Sequence, residues 1–96
     1  MTYRATSKWN DMTELQVLLI FKKLQRDSFP RGEQMRRCRA MAAQTHLKPG
    51  SISAKVCNYK SVAGVNRASN ASSNTTELYK KYGHFSIEEI TRIING

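Results

Sequence analysis

Apolar residues crowd one early stretch of the chain. Leu15, Val17, Leu18, Leu19, Ile20, Phe21 and Leu24 lie within ten positions of each other. At about 100° per residue they cover nearly the whole circumference of a helix. The pattern predicts a helix over 11–26, with Asn10 as N-cap, Asp11 and Glu14 in the first turn, and Lys22, Lys23 and Arg26 in the last. Those charges complement the helix dipole at both ends. A helix that is apolar all round lies at the centre of a fold or keeps its outer side for a partner. Residues 1–9 carry no periodicity and read as a loose arm, ending in Trp9 as a core anchor.

The segment "RDSFPRGE" breaks this helix at Pro30 and Gly32. Met35, Cys38, Met41 and Ala42 then recur at helical spacing and predict a second helix over 32–45, with Arg36, Arg37 and Ala43 facing outward. Pro49 and Gly50 force a turn. A third helix is expected over 51–62 with Ser51 as its N-cap. Ile52, Val56, Tyr59 and Ala63 form one narrow buried stripe along it. The opposite side holds Ser53, Ala54, Cys57, Asn58 and Ser61, with Lys55 and Lys60 on its flanks.

Residues 64–73 are an Asn- and Ser-rich connector. A fourth helix is expected over 74–82, closed by Gly83 as the C′ residue. Ser86 and Glu89 form a capping-box pattern that opens a fifth, with Ile87, Ile90, Ile93 and Ile94 inward. No alternating strand pattern occurs. The expectation is a single all-α domain over 1–96, a small bundle of about five helices containing a helix-turn-helix unit.

Charge changes this picture most. The net charge is +9. Residues 34–76 carry Arg36, Arg37, Arg39, Lys48, Lys55, Lys60 and Arg67 and no acid, whereas the remainder is nearly balanced. One-sided charge of this kind points to a polyanionic partner. The competing reading is a basic surface kept for solubility, which accounts for the total better than for its segregation.

The cleared side of the third helix then acquires a use. The second helix of a helix-turn-helix unit enters the major groove, about 12 Å wide, and approaches closely only if its outer side chains are small. Asn58 can pair bidentately with adenine, and serine can bond several base edges. The resulting candidate DNA-binding set is Arg36, Arg37, Lys48, Lys55, Lys60 and Arg67 for phosphates, with Ser51, Ser53 and Asn58 for readout. Small polar residues on an exposed helix face are also common without any function.

Other chemistry is thin. Cys38, Cys57, His46 and His84 lack the paired spacing of a zinc site, so no metal or other cofactor is expected. Cys57 has no positioned base, so no catalytic residue is assigned and the chain is not read as an enzyme. The longest apolar run, Val17–Phe21, is too short for a bilayer, and the opening stretch has no apolar signal region. A soluble, cytoplasmic protein is expected.

Trp9, the Leu15-Leu18-Leu19 helix, "GSISAKVCNYKS" at Gly50–Ser61, "SNASSNTTELYKKYG" at Ser69–Gly83 and "SIEEI" at Ser86–Ile90 together resemble a small helical module, Myb/SANT-like in outline. That module occurs at the N-terminus of bacterial HNH-type restriction endonucleases and related proteins. The resemblance implies a DNA-reading or DNA-docking piece in restriction-modification or phage defence. The sequence departs from the larger proteins in having no His-Asn-His constellation, so binding to double-stranded DNA without cutting is expected. Two alternatives stand beside it. One is a protein-interaction module, an adaptor or inhibitor in phage–host conflict, using the apolar first helix for a homodimer or a larger nuclease partner. The other is RNA binding, for which the chain lacks an exposed aromatic platform.

Overall fold

Side-chain capping sets where the first and last helices begin. In a computed structural model, which describes residues 9–65 and 73–96, five helices follow one another: α1 (Asp11–Arg26), α2 (Glu33–Ala42), α3 (Pro49–Val62), α4 (Ser73–Tyr82) and α5 (Ile87–Asn95). No strand occurs among the described residues. The protein is an all-α bundle. Asn10 caps α1 by accepting from the Thr13 backbone N–H at 2.9 Å, and Thr13 Oγ1 accepts from the Asn10 N–H in return. Ser86 and Glu89 close the same reciprocal box on α5. Each box satisfies donors that the first turn of a helix leaves orphaned.

Two helices end alike. After α1, Phe29 N–H donates to Leu24 O and Ser28 N–H to Gln25 O; after α3, Val65 N–H donates to Lys60 O and Gly64 N–H to Ser61 O. These are Schellman motifs, which require a left-handed residue at C′. Gly64 supplies it at φ 78°, the usual choice, but Ser28 does so at φ 61°. Phe29 is left-handed too, at φ 53°. The backbone is held there because the Phe29 ring packs 6.1 Å from Phe21, with Lys60 Nζ 5.0 Å above it.

The third helix starts earlier than the sequence indicated. Pro49 opens it and Lys48 is the N-cap, so Ser51 lies inside the first turn and caps nothing. Proline is favoured at that first position because its missing N–H is one of the orphans anyway. The second helix is shorter than expected, as Ala43 to Leu47 unwind ahead of Pro49.

All five helices contribute to one core. Leu15, Val17, Leu18, Phe21 and Leu24 of α1 meet Cys38 and Met41 of α2, Ile52, Val56 and Tyr59 of α3, Leu78 of α4 and Ile90 of α5. Of the stripe expected on α3, Ile52, Val56 and Tyr59 are fully buried, while Ala63 is the half-buried C-cap. Of the expected α5 isoleucines only Ile90 is fully buried. Phe21, Tyr59 and Tyr79 form an aromatic triangle with centroids 6.4–6.5 Å apart. No helix among the described residues is long and apolar enough to cross a membrane.

Candidate nucleic-acid interface

Helix α3 is held on three sides, and this sets what it can present. Toward the core lie Ile52, Val56 and Tyr59, each with no exposed surface. Toward α2 lies Gln34, whose amide runs along the helix. Its Nε2 donates to Ser53 Oγ at 2.9 Å and sits 3.7 Å from Cys57 Sγ, while its Oε1 accepts from Lys60 Nζ at 2.7 Å. Positions 53, 57 and 60 are one helix face, so a single glutamine spans it.

On the third side Lys55 turns inward. Its Nζ lies 3.0 Å from Glu14 Oε1, with 12% of the lysine side chain and none of the glutamate exposed. Tyr59 Oη donates to Glu14 Oε2 at 2.6 Å, and Thr75 Oγ1 lies 3.3 and 3.4 Å from the two carboxylate oxygens. The Trp9 ring lies over the lysine, 4.8 Å from Nζ. Lys55 was expected on the flank of the helix as a phosphate contact. That assignment is corrected: a buried carboxylate needs its cation, and moving Lys55 to a phosphate would strand Glu14.

What the described residues leave uncovered on α3 is a strip. Ser51, Ala54, Asn58 and Ser61 recur at i, i+3, i+7 and i+10 and fall within about 80° of arc. Ser51 and Ala54 are exposed, and Asn58 and Ser61 are half-buried. Ser61 Oγ donates back to Cys57 O. No side chain on the strip is larger than asparagine. Lys48 stands exposed at the N-terminal end of the helix. The expected reading face is thus divided: Gln34 engages Ser53, Cys57 is exposed beside the same amide, and Ser51 and Asn58 lie on the strip.

The arginines of α2 divide as well. Arg36 is well exposed and forks onto Glu33 at 2.7 and 2.8 Å. An exposed pair of this kind is weak and exchanges readily for a stronger anion. Arg37 was expected to face outward but is only 23% exposed, 3.3 Å from Glu33 and 3.9 Å from Asp27. It lies away from α3, on the side of α2 that meets α1 and α5. Arg39 is exposed. Arg67, with the rest of 66–72, lies outside the described residues.

These pairings shape the local electrostatics. The hydrogen bond from Arg36 holds the Glu33 carboxyl below the usual range, and the Arg26 fork does the same for Asp27. Burial pushes the Cys38 thiol up, with the neighbouring Cys57 adding to the effect. Burial lowers Lys22, whose Nζ donates to Gly83 O at 2.7 Å, while Glu89 works in the opposite direction. Among the described residues no three His, Cys, Asp or Glu side chains are grouped to hold a metal, and both cysteines are free.

Neither a family model, nor a curated protein, nor a solved structure matches the chain.

The buried part that Glu14 plays behind α3 was missed in the sequence. The residue sits in the first turn, where the dipole alone explains an acid. Yet it also lies four and seven positions before Leu18 and Phe21, on the core face of α1. That register, together with a core tyrosine needing a partner for its hydroxyl, was the available signal.

Proposed function

We propose that the protein binds duplex DNA by laying the open strip of α3 along the major groove, with α2 and α3 acting as a helix-turn-helix unit. The observation that carries this reading is the strip itself. Ser51, Ala54 and Asn58 project from a helix whose other three sides are fixed by the core, by Gln34 and by the Glu14–Lys55 pair, with Ser61 continuing the strip while bonded back to Cys57 O. A rigid helix with a narrow, small-residue edge can reach base edges without a prior ordering cost.

Asn58 and Ser51 are the readout residues in this proposal. Ser53 has a secondary part, since Gln34 already engages its hydroxyl. Lys48, Arg36, Lys60 and Arg67 make the phosphate contacts. Lys55 supports the helix from behind, and Arg37 serves another surface. The acid-free run from 34 to 76 supports the choice of a polyanion. The resemblance to the helical module of HNH-type endonucleases supports a role in restriction or phage defence, as a reader of sequence or base modification without cutting.

The test is fluorescence anisotropy with a random duplex of about 20 base pairs over a salt series. About four phosphate contacts give a log–log salt slope of roughly −3 to −4. Asn58→Ala and Lys48→Ala weaken binding while helicity and melting temperature are retained. Salt-insensitive binding, or none, rejects the proposal.

A further inference from the structure

A second surface, with no residue of α3 in it, lies where α1, α2 and α5 meet. The groove there has a volume of about 280 Å³. Leu19 and Ile20 of α1 and Ile94 of α5 form its apolar walls, with Ala40 and Met41 from α2. These are the outer-face residues that make α1 apolar all round, and they are only partly covered. Lys23 and Arg37 stand on the same lining. The volume lies just below the roughly 300–1,000 Å³ of small-molecule sites, and an open groove of this size takes two or three side chains.

Two residues of this lining each carry a buried polar atom without a hydrogen-bond partner among the described residues. Gln16 Oε1 is withdrawn from solvent and accepts no hydrogen bond among the described residues. Arg37 Nε is also buried and donates none; Glu33 Oε2 lies 3.3 Å away without hydrogen-bond geometry. Buried polar groups without partners are uncommon, and each is costly unless something supplies the missing bond. The charge of Arg37 already faces Glu33 and Asp27, so its Nε–H lacks only an acceptor, whereas Lys23 has no ion pair among the described residues; with the Gln16 acceptor these specify the ligand's chemistry. It carries aliphatic side chains, a hydrogen-bond donor and a carboxylate.

We infer that this groove docks an acidic, amphipathic helical segment of a partner protein. Leucine-like side chains one turn apart enter between Leu19, Ile20 and Ile94. Flanking carboxylates meet Lys23 and Arg37, and a donor on the segment reaches the Gln16 amide oxygen after a small rotation. This is helix-in-groove recognition, with anchors at i, i+3 or i+4 and i+7. A fatty acyl anion would satisfy the cations but offers no donor for Gln16. A second copy of this chain is disfavoured because it brings its own net charge of +9 to a basic rim.

The probe is a fluorescein-labelled peptide of roughly 18 residues, long enough to populate a helix, with leucines on one face and glutamates on its flanks. A control peptide carries lysines in place of the glutamates. Binding is read by anisotropy against the intact protein, Lys23→Glu and Ala40→Trp. Ala40 is exposed on the groove, so the indole fills it without entering the core. The acidic peptide binds the native protein, Ala40→Trp weakens it about tenfold or more, and Lys23→Glu shifts preference toward the lysine peptide. Ala40→Trp leaves duplex DNA affinity unchanged, which separates this surface from the one on α3. The inference is overturned if neither peptide binds, if both bind equally, or if Ala40→Trp has no effect on the peptide. It is also overturned if sedimentation shows a dimer that Ala40→Trp dissolves, since the groove is then a self-interface.

Discussion

Tyr59 Oη donates to Glu14 Oε2 at 2.6 Å, across 45 residues of sequence, and ties the helix proposed to read DNA to the central helix of the bundle. Both side chains are fully buried. The carboxylate also receives Lys55 from the same helix and Thr75 from α4, so three helices share one buried charge. An ionised group without water is tolerated only when its charge is matched and its lone pairs are filled, and here both conditions hold. The arrangement fixes the rotation of α3 about its own axis. If α3 turned to carry Tyr59 off Glu14, Lys55 would leave with it and the open strip would turn away.

Removing the cation is therefore more damaging than removing the hydroxyl. Lys55→Ala leaves a buried carboxylate unpaired and is expected to cost about 3–5 kcal/mol. Tyr59→Phe removes one bond of several and should cost about 1–3 kcal/mol. Urea unfolding followed by circular dichroism measures both. Lys55→Met alone should resemble Lys55→Ala, whereas Lys55→Met with Glu14→Gln should recover much of the loss, because a neutral amide needs no cation. Additive losses in that cycle would show that the pair is not coupled.

The two Schellman motifs predict opposite effects for opposite changes. Ser28 occupies a left-handed C′ position that disfavours a side chain by about 1–2 kcal/mol relative to glycine. Ser28→Gly should raise stability by about 0.5–1 kcal/mol, since glycine's greater freedom in the unfolded chain offsets part of that gain. A side chain at Gly64 would meet no atom of the described residues, so among these Gly64→Ala is opposed by its φ alone. A loss of about 1 kcal/mol is expected. Paired thermal melts of the two variants, moving in opposite directions, check the assignment.

Gly83 is a different case. The sequence marks it as a C′ glycine, but its φ is not left-handed. The reason for glycine is close approach: a Cβ would overlap the Tyr79 carbonyl oxygen and ring. Tyr79 packs edge-on against Phe21 and Tyr59, so it has little room to yield. Gly83→Ala should destabilise by about 1–3 kcal/mol through overpacking. A variant as stable as the native protein would mean that the ring relaxes freely.

Most of the fold was legible because helices announce themselves at their ends and along one face. The bounds of α1, the Asn10 cap, the Ser86–Glu89 box and the Ile52–Val56–Tyr59 stripe are local features, and local chemistry decides them. The start of α3 was not, because Pro49 and Ser51 are both good opening residues and only the packed structure chooses between them. The candidate interface was half legible. Small residues on α3 could be counted from the sequence. Which of them Gln34 covers, and that Lys55 turns toward Glu14, depend on partners 19 and 41 positions away. Charge segregation says that a lysine is present, not which way it points.

The two thiols give a test of how α3 sits on α2. Cys38 is fully buried, and burial raises its pKa, so it is kept protonated and out of reach. Cys57 is exposed beside the Gln34 amide. Thiolate exposure controls attack on disulfide reagents and on alkylating agents alike. In the native protein one thiol should therefore react with dithiobis-nitrobenzoate, and peptide mapping should place it at Cys57. The second should react only as the protein unfolds, at a rate that tracks urea concentration. Cys57→Ser should abolish the first phase and leave stability nearly unchanged, because the residue lies outside the core. Two equally fast thiols in the native state would mean that α2 and α3 separate readily. The rigid strip on which the DNA proposal rests would then be lost.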